Sequence, residues 1–278
     1  MRHRFQVEFT HNTVSLLALT VVLVFLMAGL LAPFLGLPGP TDQIFDLYAG
    51  PSIQHPFGTD NLGRDVFSEV VWGTRVSLTF GVVVALISAI LGTLIGAASG
   101  YFGGLIDDIA SRLFEIILAV PGLFVIILIV TLFGSNLLTT MTVVGAWVWP
   151  SNARIMRAQV LSGKQRDYVT AATILGASDT RILFRHVIPN SLPPLIANST
   201  LQIGFAIALE AGLSFIGLGD ANVISWGQML NQAQSRYATA WWMAVFPGVA
   251  ISILVLGFNL VGDAITRVLN PQFSAARP

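Results

Sequence analysis

The chain has 278 residues, 54% of them hydrophobic and 10% charged, with 14 basic and 14 acidic side chains and no cysteine. Its mean hydropathy is +0.77, whereas a soluble domain carries about 25% charge, so the composition excludes an ordinary water-soluble fold and makes lipid the solvent for most of the chain. Without cysteine there is no disulfide, thiolate metal site or cysteine nucleophile, and the four histidines (His3, His11, His55 and His186) are too scattered for a metal cluster.

Runs free of Asp, Glu, Lys and Arg predict the membrane spans, each needing about 20 residues at about 1.5 Å per residue. Residues 14–35 form the first. The basic start MRHR resembles a signal peptide, but the run is long for one and no A-x-A-like cleavage site follows. It reads as an uncleaved anchor behind a cytoplasmic N-terminus of residues 1–12. A loop over 37–75, rich in turn formers such as Pro38-Gly39-Pro40 and Gly58-Thr59-Asp60, leads to a second span over 76–102. The uncharged run 116–153 is too long for one helix and is broken by Gly134-Ser135-Asn136, which predicts a third span over 111–133 and a fourth over 137–160 joined by a hairpin. A polar loop over 161–190 precedes a fifth span over 193–213, with prolines in its first turn, and a sixth over 241–263. Together these make a single transmembrane domain over 13–278, all-α in class.

The positive-inside rule orients it. With the N-terminus inside, Arg2, Arg4, Arg112, Arg154, Arg157, Lys164, Arg166, Arg181, Arg185, Arg267 and Arg277 face the cytoplasm, and of the 14 basic residues only Arg64, Arg75 and Arg236 fall outside. The expected topology is therefore six helices, N-in and C-in. Trp241 and Trp242 at the outer start of the sixth span fit an interfacial aromatic belt. Gly92, Gly96 and Gly100, four apart in the second span, predict close helix packing.

The segment 167–190, DYVTAATILGASDTRILFRHVIPN, is a polar, basic, glycine-broken island in this oily chain. Tyr168, Ala171, Ala172 and Leu175 recur at helical spacing as a modest apolar stripe, small at its centre. Gly176 ends that helix, Ser178 caps a second, and Arg181 and Arg185 give the second a basic side before Pro189 stops it. Such a knob suits either a protein partner or anionic lipid.

The same segment resembles the cytoplasmic "EAA" loop of ATP-binding-cassette importer permeases. Ala171, Ala172 and Gly176 match at the family spacing, while Thr170 stands where the family usually has glutamate. Further stretches, HPFGTDNLGRDVFSEVVWGTRVSL (55–78), EAGLSFIGLG (210–219), SWGQML (225–230) and WWMAVFPGVAISILVLGFNLVGDAI (241–265), resemble the second permease subunit of dipeptide, oligopeptide and nickel importers. The resemblance implies a type I importer permease fold in a bacterial or archaeal cytoplasmic membrane. It also implies partners: a homologous permease, two ATP-binding subunits and an extracytoplasmic substrate-binding protein, with lipid around the spans and no nucleic acid. Docking of the ATPase is expected on Tyr168, Thr170, Ala171, Ala172, Leu175, Gly176, Ser178, Arg181 and Arg185. The cargo expected is a peptide, with a nickel or metal chelate as the alternative.

No G-x-x-x-x-G-K-[ST] phosphate loop is present, so ATP and Mg are expected on partner subunits and no cofactor on this chain. An ion-coupled secondary transporter is the competing class, but no internal repeat supports it. An intramembrane enzyme would need a nucleophile and base or metal ligands inside the spans, and none is evident. Charges near spans usually face a pathway or partner. Glu210, followed by the flexible segment that holds Phe215, is thus a candidate for the substrate path or gate, against a structural hydrogen bond at the helix end. Glu115 and Asp263 read as structural, each at helical spacing from Arg112 and Arg267 respectively. In the long outer loop, Asp60, Arg64 and Asp65 read as a contact for the binding protein or as groups that satisfy one another.

Overall fold

A computed structural model describes residues 12–269. The cytoplasmic placement of residues 1–11, with Arg2 and Arg4, and of Arg277 lies outside the described residues. Ten helices account for most of the rest: α1 (Thr13–Leu31), α2 (Val66–Phe102), α3 (Gly104–Ala119), α4 (Gly122–Phe133), α5 (Leu137–Lys164), α6 (Asp167–Ile174), α7 (Asp179–Ile182), α8 (Ile188–Leu213), α9 (Trp226–Ala233) and α10 (Trp242–Leu269). No strand occurs among the described residues beyond an isolated bridge between Thr59 and Asp65. Four helical segments, Thr13–Phe34, Val66–Phe102, Asp179–Leu218 and Trp242–Leu269, are long and apolar enough to cross a membrane, and α3 with α4 would make a fifth as one broken span.

Several boundaries differ from the sequence reading, each for a local reason. Helix α2 starts ten residues before the charge-free run, because Asp65 caps it by accepting the Ser68 N–H at 2.8 Å and because Glu69, inside its first turn, pairs with Arg64 at 3.0 Å. The third predicted span is two helices bent by 86°. Pro121 is the cause: it has no N–H and forces Val120 into extended backbone (φ −90°, ψ 133°). The hairpin at Gly134 is present, with φ +95° there and Asn136 capping α5 through the Thr139 N–H at 2.8 Å.

Helix α5 is 28 residues long, ample to span, yet Asn152, Arg154 and Arg157 make it too polar to stand out as a membrane helix. Its buried amide is matched inside the bundle. Asn152, fully buried, donates to Ser88 Oγ of α2 at 3.0 Å and to Gln202 Oε1 of α8 at 2.8 Å, and accepts from Asn198 Nδ2 at 2.8 Å. This clamp joins three helices at mid-length, where an unmatched amide would be costly.

The glycine spacing in α2 serves that same contact. A Cβ on Gly92 would lie 2.5 Å from Asn152 Cβ, and one on Gly96 would lie 2.3 Å from the Ala153 carbonyl oxygen. Both neighbours are fixed parts of α5, so they cannot swing away. Gly96→Val is expected to push α2 and α5 apart and lower stability by about 1–3 kcal/mol or more, which a thermal unfolding series in detergent would read; an unchanged midpoint would disprove the close crossing.

The opposite end of the bundle is capped by the 37–65 loop and α9. Trp226, fully buried, donates to the Val70 carbonyl at 2.9 Å, and Trp242 donates to the Thr59 carbonyl at 3.0 Å. Only Trp241 stands exposed, so Trp242 is a pin between loop and helix rather than part of an interfacial belt. Asp220 ties this cap to the α4–α5 hairpin by accepting from the Leu137 N–H (2.9 Å), the Asn222 N–H (2.9 Å) and Asn222 Nδ2 (3.0 Å). Partial burial works against its charge, but these hydrogen bonds outweigh it and lower its pKa. A lowered folded pKa stabilises the fold above about pH 3.9 and stops doing so only as pH falls through the lowered value. Asp220→Ala is therefore expected to cost about 1 kcal/mol equally at pH 7 and pH 5. A cost that halves by pH 5 in paired unfolding curves would contradict this.

Candidate docking site at the basic end

At the basic end of the bundle α5 finishes at Lys164, and after a two-residue link α6 runs from Asp167 to Ile174. Gly176, at φ +79°, reverses the chain. Its N–H donates to the Thr173 carbonyl at 3.0 Å and the Ala177 N–H to the Ala172 carbonyl at 3.1 Å, the paired bonds of a Schellman cap. Ser178 then caps α7 by accepting the Arg181 N–H at 3.4 Å. The helix–glycine–helix frame expected from the sequence is thus formed.

Pro189 does not stop the second helix. A π-turn over Leu183–Val187, in which the Ile188 N–H bonds the Leu183 carbonyl, carries α7 directly into α8. Asn190 Nδ2 adds a bond to the His186 carbonyl at 2.7 Å, and the π-turn absorbs the break in the ladder next to Pro189. As a result α8 begins at Ile188, and Pro193 and Pro194 lie inside it rather than in its first turn.

The loop sits on a core of its own. Val169, Ile182, Leu183 and Val187 are buried against Ala97 and Tyr101 of α2, Met156 and Val160 of α5 and Leu195 of α8, with Tyr168, Ala172 and Ala177 packed at its edge. The predicted stripe is therefore divided: Tyr168 and Ala172 turn toward the bundle, whereas Thr170, Ala171, Leu175, Gly176, Ser178, Arg181 and Arg185 are exposed. Leu175 is 85% exposed and Ile174 is 80% exposed. Ile174 was not among the expected docking residues, although its position four after Thr170 places it on the outward face.

Polar ties fasten this knob to the bundle. Tyr101 OH donates to Asp179 Oδ1 at 2.9 Å, and Lys164 Nζ donates to the Tyr101 carbonyl at 2.6 Å. Behind them Arg157 grips Asp107 with Nε at 2.5 Å and a terminal nitrogen at 2.6 Å. The knob is a solvent-facing apolar tip with basic flanks, packed on α2, α5 and α8, and exposed apolar surface of this kind suits a protein partner or a lipid surface.

The other predicted residues lie at the opposite end and are turned inward. Asp60, Arg64 and Asp65 are 1%, 6% and 7% exposed. Arg64 bonds Asp60 at 2.5 Å and Glu69 at 3.0 Å, and His55 Nδ1 meets Asp65 at 2.9 Å. Their side chains satisfy one another and are withdrawn from the outer surface, as in the second of the two readings that the sequence offers for them. Glu210 is 4% exposed and accepts from Ser214 Oγ at 2.7 Å. The half-buried Phe215 offers its carbonyl to Asn231 at 2.7 Å and Gln234 at 2.9 Å. Both belong to the cap as folded here, with the Glu210 carboxylate closed off from solvent.

Comparison with known proteins converges on one family. The family described as binding-protein-dependent transport system inner membrane component matches residues 92–275. The chain is 35% identical over 274 residues to the dipeptide transport system permease protein DppC of Alkalihalophilus pseudofirmus, covering 96% of this chain and 89% of the relative. It is 38% identical over 259 residues to a putative peptide transport system permease protein of Brucella suis, covering 92% and 87%. It is 36% identical over 272 residues to the glutathione transport system permease protein GsiD of Pectobacterium atrosepticum, covering 96% and 90%.

Proposed function

This chain belongs to the family of binding-protein-dependent transport system inner membrane components, and from that premise we propose how it works. It is a permease subunit of a peptide importer of the ATP-binding-cassette class, a multi-pass membrane protein and a transport component rather than an enzyme. Its cargo is a short peptide of the dipeptide-to-glutathione class, the class that its relatives' names carry.

In this reading the basic end faces the cytoplasm and the bundle crosses the cytoplasmic membrane six times, α3 with α4 forming one broken span and α5 another. A homologous permease completes the pathway. Two ATP-binding subunits, which hold ATP and Mg, dock on the α6 tip and its flanks, from Thr170 to Arg185. A substrate-binding protein delivers cargo at the capped end, where Ile44, Leu47 and Ile53 of the loop are exposed apolar side chains. Glu210 and Phe215 hold the outer seal closed. ATP-driven closure of the docked pair moves the knob, and the knob's rigid joints to α2, α5 and α8 rock the spans between two states.

The observation that carries the proposal is the exposed Ile174–Leu175 tip on a buried support. The test is uptake of labelled dipeptide by vesicles containing the assembled complex. Uptake is expected to need ATP and intact ATPase subunits and to survive collapse of the proton gradient. Uptake that continues with the ATPase subunits inactivated would refute it.

A further inference from the structure

A cavity of about 620 Å³ lies between α3 and α5, lined among others by Ser111, Phe114, Glu115, Arg154, Arg157 and Ala158. The expected pairing of Glu115 with Arg112 does not form. Neither Glu115 nor Arg154 has a side-chain hydrogen bond or ion pair among the described residues, and both are exposed into this space. Arg157 differs, because Asp107 holds it. Arg154 precedes the end of α5 at Lys164 by ten residues, about 15 Å along the helix. Within the fourth span as read over 137–160, a guanidinium without an ion pair faces a water-filled path or a partner rather than lipid.

We propose that this cavity is a transit site for the cargo, binding the zwitterionic termini of a short peptide: Arg154 takes the terminal carboxylate and Glu115 the terminal ammonium. The inference rests on the peptide-importer reading above. Its chemistry comes from the site itself. Two unpaired, opposite charges project from facing helices into one cavity, and a zwitterion neutralises both at once. The guanidinium fork matches a carboxylate in two hydrogen bonds. The Ser111 hydroxyl can meet a peptide amide, and Phe114, 3% exposed, gives an apolar floor. The volume falls within the range of about 300–1,000 Å³ usual for small-molecule sites. Because neither charge is locked in an ion pair, the site can also release its ligand, which a transit site must do.

The experiment places a photoreactive benzoyl-phenylalanine at Ala158 in the complete complex, in vesicles with binding protein and radiolabelled dipeptide. Illumination during ATP-driven uptake is expected to label the permease with peptide. Adding Arg154→Gln or Glu115→Gln is expected to cut that labelling at least about tenfold, while Arg154→Lys keeps most of it. A cross-link to the companion permease would show the cavity to be a subunit interface, and one to phospholipid would show a lipid site; either overturns the proposal. So does peptide labelling indifferent to Arg154→Gln, or no adduct while uptake proceeds. Wild-type uptake measured in the same vesicles separates the two readings. Its absence removes the importer reading and this inference together, whereas uptake without peptide adduct removes only this inference.

Discussion

Arg64→Met is expected to destabilise the protein by about 3–5 kcal/mol, the usual cost of breaking a buried charge pair from one side. Arg64 is 6% exposed and faces Asp60 and Glu69, which are 1% and 2% exposed. It also donates to Gln232 Oε1 of α9 at 2.6 Å. Methionine fills much of the volume but leaves two buried carboxylates without their cation and releases α9 from the loop. Arg64→Lys is expected to fall between, since it keeps the charge and loses the fork that reaches three acceptors. Thermal unfolding of the purified permease in detergent is the measurement. A drop in midpoint of only a degree or so for Arg64→Met would mean that the cluster is dispensable and that the loop is held by its tryptophan pins alone.

That cluster shows where the sequence was legible and where it was not. The run Asp60-Asn61-Leu62-Gly63-Arg64-Asp65 read either as a contact surface or as groups satisfying one another, and nothing in local spacing decides between these. The burial comes from Gln232 and Trp242, more than 160 residues away in the chain, which close over the loop. Burial created by distant elements leaves no mark on local periodicity. The opposite holds for the Gly176 bend and the Gly92, Gly96 and Gly100 row, whose conformational and steric demands are local, and both were readable.

The spans divide along the same line. Where a helix is surrounded by lipid its residues must be apolar, so α1 was visible from its charge-free run alone. Where a helix is enclosed by others it need not be: Asn152 is affordable in α5 only because Ser88, Asn198 and Gln202 meet it. The charged start of α2 was invisible for the same reason. The split of α6 into inward Tyr168 and Ala172 and outward Ile174 and Leu175 depends on how the loop rests on α2 and α5. A window of eight residues does not determine that rotation.

The docking tip yields the last large effect. Leu175 is 85% exposed, and burying a leucine against a partner contributes about 1.5–3 kcal/mol. Leu175→Ala is accordingly expected to weaken ATPase co-purification from solubilised membranes by about tenfold. Leu175→Asp is expected to abolish it, because it would also bury a carboxylate in an apolar contact. Gly176→Pro attacks the same contact through the backbone. At φ +79° proline is excluded, and the Gly176 N–H bond to the Thr173 carbonyl is lost, so the tip turns away from its partner. Both classes of variant leave the buried support and the spans untouched, so membrane insertion and monomer stability are expected to hold while peptide uptake disappears. Thr170→Ala is the contrasting variant: if docking rests on the apolar tip rather than on the polar position beside it, ATPase recovery stays within about twofold of wild type. Loss of docking in Thr170→Ala with full docking in Leu175→Asp would reverse the assignment, making the threonine hydroxyl rather than the Ile174–Leu175 surface the group that the ATPase grips.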